Sequence, residues 1–181
     1  MDAPGSNEMQ KVLTDLKPVL GSALVIGGLA VIHHGYRRST DDADILYANS
    51  DDTILKRLSD KFKLVKKAKN GWHRFEHKVT GIRLELIPEG GLTTYGFIPG
   101  PRFFGSDRGF LPLWGLLWLK LVSGRGKDEA DIMELARAGM EGVLAAREKL
   151  PEEFFARFDA LIARVKLEIE NDPSNAPDED E

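Results

Sequence analysis

Apolar side chains recur at helical spacing near the N-terminus. Met9, Val12, Leu13, Leu16, Val19 and Leu20 share one face of residues 7–20, with Ser6 or Asn7 as N-cap, which predicts an amphipathic helix. A short apolar run over 22–26 leads directly into Gly27-Gly28 and an apolar helical segment over 29–34, predicting strand, tight turn and helix. A second strand is expected over 43–48, followed by a helix capped by Asp51-Asp52-Thr53 and running to about residue 60. Three further strands are expected over 62–67, 72–79 and 82–87, separated by hairpin-type turns at Lys69-Asn70-Gly71 and Thr80-Gly81. Residues 88–109, rich in Gly and Pro, read as a long loop over the surface or the site. From residue 111 the pattern is helical, over 111–122, 127–138, 140–149 and 151–170, with Pro151 at a first-turn position.

These elements predict an α+β fold: a mixed sheet of about five strands flanked by helices, with a helical C-terminal half. The expected organisation is a core over 1–110, helices over 111–170 packed on it, and a disordered acidic tail over 171–181 (NDPSNAPDEDE).

Composition narrows the class. A chain of 181 residues, 42% hydrophobic and 30% charged, is neither disordered, collagen-like nor membrane-spanning, and suits one domain with a sizeable core. The longest apolar run, over 110–122, is interrupted by Lys120 and falls short of the ~18 residues of a membrane span, so no membrane partner is expected. Absence of cysteine excludes disulfide scaffolds, zinc fingers and thiolate nucleophiles. With a polar N-terminus lacking a basic leader, it makes the cytoplasm the expected compartment.

The net charge of −4 argues against a polyanionic partner until its distribution is considered. Seven of the 29 acids lie from Glu168 onward, where there is no Lys or Arg, so the first 167 residues carry 25 basic and 22 acidic side chains. Residues 56–78 hold nine Lys or Arg against two acids, with Trp72 and Phe75 interleaved, a composition suited to phosphate contact and base stacking.

Candidate chemistry concentrates in residues 25–46 (VIGGLAVIHHGYRRSTDDADIL). Gly27 and Gly28 at a strand-to-helix turn allow close backbone approach to a phosphate, although neither GxGxxG nor GxxxxGK[ST] is present. Asp42 and Asp44, two apart on a strand, share a face and form a carboxylate pair suited to divalent metal. In Arg83-Leu84-Glu85-Leu86-Ile87, alternation puts Glu85 opposite the two leucines, so a third carboxylate converges if the two strands are neighbours. Lys120 falls within the stripe of Leu113, Leu116, Leu117 and Leu121, where a desolvated ammonium needs a phosphate or the carboxylate cluster as partner. Glu129 and Asp131 are accounted for as first-turn helix acids. His33 and His34, adjacent in sequence, read as packing or helix-end residues unable to face one ligand; His73 and His77 read as exposed strand residues or part of an acceptor surface.

The order of the Gly-Gly turn and Arg38-Ser39-Thr40-Asp41-Asp42-Ala43-Asp44-Ile45 resembles the GG…RxTxDxDh signature of the polymerase-β-like nucleotidyltransferase superfamily. Residues 116–132 (LLWLKLVSGRGKDEADI) resemble the LhhhKhhAxRxKDhxDh helix pair of the AbiEii-type toxin nucleotidyltransferases, and together the similarities cover about residues 20–135. The resemblance implies a metal-dependent enzyme that transfers a nucleoside monophosphate from an NTP to an acceptor hydroxyl. In it Asp42, Asp44 and Glu85 hold Mg²⁺ or Mn²⁺, Gly27 and Gly28 approach the triphosphate, and Arg38, Lys120 and Asp128 complete the nucleotide pocket. The toxin relatives imply an RNA or tRNA end as acceptor, with a protein or small molecule as alternatives, and an antitoxin as a possible partner. The alternative is an inactive module that keeps the fold and binds a nucleotide or a partner protein.

Overall fold

The computed structural model describes residues 6–172. In chain order its elements are α1 (Ser6–Leu16), β1 (Leu24–Ile26), α2 (Gly27–His33), β2 (Asp42–Tyr47), α3 (Ile54–Leu58), β3 (Phe62–Lys66), β4 (His73–His77), β5 (Arg83–Pro88), α4 (Pro101–Phe104), α5 (Leu113–Ser123), α6 (Gly126–Ala146) and α7 (Phe155–Glu170). The fold is α+β: one five-stranded mixed sheet in the order β1-β2-β5-β4-β3, with flanking helices and a helical C-terminal half. Only β2 and β5 are parallel, and α3 with the β3–β4 hairpin makes the crossover between them.

Period-2 alternation divides the sheet between two apolar layers. Ala43 and Ile45 of β2, Leu84 and Leu86 of β5 and Phe75 of β4 pack with Val12 and Leu16 of α1 and Ile54 and Leu58 of α3. On the opposite face Leu24, Ile26, Leu46 and Ile87 pack with Leu116, Leu117 and Leu121 of α5, Ile132 and Leu135 of α6, and Phe158 and Ile162 of α7. Asp44 and Asp42 have the parity of Leu46, and Glu85 that of Ile87. They therefore continue the second face toward the N-terminal ends of β2 and β5, where exposure rises and apolar residues give way to carboxylates.

Several sequence expectations need correction. Asp51 and Thr53 do not cap α3: Thr53 donates to Asp51, and Asp51 accepts two bonds from Arg57 at 2.7 and 2.9 Å, which hold its carboxyl below the usual range. Here an ion pair with a residue one turn into the helix competes successfully with capping. His73 and His77 are buried, not exposed, because they share the parity of Phe75. His77 bonds Asp15 of α1 at 3.0 Å and Thr80 at 2.9 Å, and His73 Nδ1 accepts from the Ala68 amide. Phe75 is in the core and unavailable for base stacking. The expected loop over 88–109 contains α4 and a Leu92–Phe97 bridge. The helices expected over 127–138 and 140–149 form one element, α6, in which the backbone at Gly139 leaves the helical region, followed by a 3₁₀ turn at Arg147–Lys149. The acidic tail falls outside the described residues from 173 on. Among those described, no helix is long and apolar enough to cross a membrane.

Candidate active site

Parallel pairing of β2 with β5 places Asp42 opposite Arg83 and Asp44 opposite Glu85, about one strand spacing of 4.8 Å apart along the backbone. The next strand continues the row, with Arg74 of β4 opposite Glu85, and Arg74 Nε donates to Glu85 Oε1 at 2.7 Å. Thr40 turns its hydroxyl to the Asp42 backbone carbonyl at 3.2 Å, which fixes the entry of the chain into β2. Asp44 is the carboxylate whose electrostatics stand out. Burial, followed by the neighbouring Asp42 and Glu85 charges, pushes its pKa up to about 6. The donor oxygens of the three acids do not all lie within 4.8 Å of one another, and Glu85 is engaged by Arg74.

The three acids line a cleft of about 550 Å³ together with Gly27, Gly28, Arg38, Lys120, Arg125 and Lys127. Gly27 has φ +63, and a Cβ there would overlap Asp44 Oδ2. At Gly28 a Cβ would lie 2.6 Å from Thr40 Oγ1 and 2.8 Å from Arg38 Nη2. The glycine pair is thus explained first by what packs on it: the carboxylate of Asp44 on one residue, the guanidinium of Arg38 on the next. Gly27→Ala should push Asp44 out of place and destabilise the fold by about 1–2 kcal/mol from the left-handed backbone alone. Isothermal titration with Mn²⁺, alongside thermal unfolding, should show metal affinity falling at least ~10-fold; unchanged affinity would separate Gly27 from the carboxylate site.

Lys120 is buried, as its place in an apolar stripe predicts, but its partners are not the Asp42–Asp44 pair. Its ammonium donates to Asp128 at 2.9 Å and Asp131 at 2.5 Å, both from α6, which folds back against α5 after a turn at Gly124-Arg125. Arg125 adds bonds to Asp128 at 2.6 and 3.2 Å, and Arg38 Nε lies 3.2 Å from Asp131 in an ion pair without hydrogen-bond alignment. Burial alone would raise the Asp128 pKa; bonds from Arg125 and Lys120 outweigh it and hold the carboxyl down at about 2. Three cations thus meet two acids, leaving a positive excess beside the Asp42–Asp44–Glu85 cluster.

Asp131 and Arg125 also belong to this cluster, although the sequence pattern alone does not single them out. Asp131 is buried at the i+3 position from Asp128, on the face that carries Ile132 and Leu135, and a carboxylate on an apolar stripe is the signal that distinguishes it from a first-turn acid. Glu129, by contrast, points away to Arg157. No protein-family model matches the chain, and no curated protein matches it.

A smaller pocket of about 160 Å³ adjoins the cleft, sharing Gly27, Asp44, Trp72, Lys120 and Arg125 with it and lined otherwise by the apolar Ile26, Ile87, Ile98, Leu116 and Leu119 together with Thr93, Ser123 and Asp128. Trp72 stands half-exposed between the two. Outward from Glu85 the sheet face turns cationic, since Arg74 is opposite Lys66 and Arg83 is opposite Glu76, which is in turn opposite Lys63 on the edge strand β3. His33 and His34 lie at the other end of α2, outside this cleft. The expectation that neighbours in sequence cannot face one ligand is incorrect, because His34 leaves the helix at its C-cap, and a nitrogen of each ring comes within 4.8 Å of the other and of Asp107.

Proposed function

We propose that the protein is a metal-dependent nucleotidyltransferase. Its reaction is attack by an acceptor hydroxyl on the α-phosphorus of an NTP, forming the new O–P bond, breaking the bond to the β-phosphate oxygen and releasing pyrophosphate. The observation that carries this reading is the pairing of β2 with β5, which brings the sequence-distant Asp44 and Glu85 side by side in a cleft also lined by Gly27, Gly28, Arg38 and Lys120.

An all-oxygen donor set with one acid raised by burial and by neighbouring like charge suits Mg²⁺ or Mn²⁺. Asp42 and Asp44 would hold the metal, joined by Glu85 once Arg74 releases it, and the bound ion would neutralise phosphate charge and acidify the acceptor hydroxyl. Arg38 and Lys120 both line the cleft and would meet the triphosphate there, Lys120 with the N–H left over from its bonds to Asp128 and Asp131. Arg125 and Lys127 extend the same positive wall. The acceptor hydroxyl's proton passes to a cleft carboxylate. The cationic continuation of the sheet face through Arg74, Lys66 and Lys63 favours an RNA end over an uncharged acceptor.

Incubation with each α-labelled NTP, Mg²⁺ or Mn²⁺, total tRNA and cell lysate tests this. Label should pass to an acceptor with wild type and fail with Asp42→Ala. No transfer to any acceptor, with NTP binding intact in wild type and variant and indifferent to metal, would replace the enzyme by a nucleotide-binding module of the same fold.

A further inference from the structure

We propose that His33, His34 and Asp107 form a second metal site, which takes a borderline divalent cation such as Zn²⁺. It stands apart from the nucleotidyltransferase reading, in position and in chemistry. One nitrogen from each imidazole and one oxygen of Asp107 lie within 4.8 Å of one another, the only such group of three among the described residues. His33 Nε2 and Asp107 Oδ2 are 2.9 Å apart in a hydrogen bond, and an ion held at about 2.0–2.1 Å from each would take the place of the shared proton with the two donors opening to about 3.3 Å.

The donors are held in place before any ion arrives. His34 Nε2 must donate to the Leu111 carbonyl at 2.8 Å, since a carbonyl only accepts, and this leaves Nδ1 with its lone pair. Fixing an imidazole tautomer through its second nitrogen is the outer-shell arrangement found around metal-bound histidine. The His33 ring stacks flat on Phe110, with centroids 4.2 Å apart and planes 3° from parallel. Asp107 sits on a tight turn closed by reciprocal 2.9 Å bonds with Phe110, and that turn is pinned to β1 through Val25–Gly109 and Leu111–Val25 bonds. All three side chains are partly exposed, so water can complete the coordination.

Two imidazoles with one carboxylate favour zinc over magnesium, whereas the oxygen-only cluster at Asp42 and Asp44 has the opposite preference. Ligand chemistry thus keeps the two cations apart within one small domain. The ion would join the C-terminal end of α2 to a segment 74 residues away in sequence, bracing the helix whose first residues, Gly27 and Gly28, support Asp44 and Arg38.

The test uses the full-length chain carrying Asp42→Asn and Asp44→Asn, so that the carboxylate cluster contributes nothing. After chelator treatment, zinc titration by calorimetry should give one equivalent bound and a higher unfolding midpoint, insensitive to millimolar Mg²⁺. Cobalt in place of zinc should give visible d–d bands of a nitrogen-ligated site. The chain has four histidines and no cysteine, and His73 and His77 are buried with partners of their own, so those bands report on His33 and His34. His33→Ala should weaken zinc binding at least ~10-fold, as should Asp107→Asn, which keeps an acceptor for His33 but loses the anionic ligand. Absence of zinc binding, or affinity and cobalt bands unchanged in either substitution, would overturn the site.

Discussion

On the proposed function, Asp44→Asn should abolish nucleotidyl transfer, by at least ~10³-fold, and in any case make the metal-free protein more stable at pH 8. The carboxyl of Asp44, raised from 3.8 to about 6 by burial and by Asp42 and Glu85, marks an ionised form disfavoured by about 3 kcal/mol at high pH. An aspartate with a higher pKa in the folded than in the unfolded state holds its proton more tightly when native. Wild-type stability therefore falls as pH rises from about 4 to about 6, and the gap to the Asn variant opens over that window. For a domain of this length the gain corresponds to an unfolding midpoint several degrees higher, on the order of 2–4 °C per kcal/mol. Thermal unfolding at pH 4 and pH 8, with and without Mg²⁺, decides the matter. The variant should match wild type at pH 4, exceed it at pH 8, and fail to gain from Mg²⁺ where wild type does. Equal midpoints at both pH values would mean that the acid cluster stores no repulsion for a metal to relieve.

That cluster was only half legible in the sequence. Alternation gave the parity of Asp42, Asp44 and Glu85, because side-chain direction in a strand is a local property. Neighbourhood is not local: β2 and β5 are joined by a crossover of α3, β3 and β4, and nothing in either segment announces that they pair in parallel. The strands and Gly-containing turns were legible for the same local reason. His73 and His77 show that pattern outranks residue type: their alternation with Phe75 puts them on the core face despite their polarity. Lys120 was recognisable as buried from its helical stripe, yet its partners lie 8 and 11 residues on, across a helix reversal that the stripe does not encode. Asp131 was obscured by a sufficient local explanation, the preference of acids for helix N-termini, which the structure shows to be secondary to its ion pairs.

Lys120→Met should cost about 3 kcal/mol of stability at pH 7, because it deletes the cation between two buried carboxylates while keeping the volume of the stem. Arg125 still covers Asp128, but Asp131 is left with Arg38 in poorly aligned contact, so the loss should fall mainly on Asp131. Adding Asp131→Asn removes the orphaned charge, and the double variant should recover more than half of the loss. Acid titration separates the parts. In wild type the Asp128 carboxyl, held at about 2, contributes stability that is present above 3.8 and is lost as pH falls toward 2. Without Lys120 that contribution shrinks, so the gap between wild type and Lys120→Met should narrow below pH 3.8. If the ammonium served only as a scaffold ion, the recovered double variant would also recover transfer. Because Lys120 has a third donor and lines the cleft that holds Asp44, we expect transfer to stay at least ~100-fold down in the double variant despite restored stability, the mark of a cation that contacts the triphosphate itself.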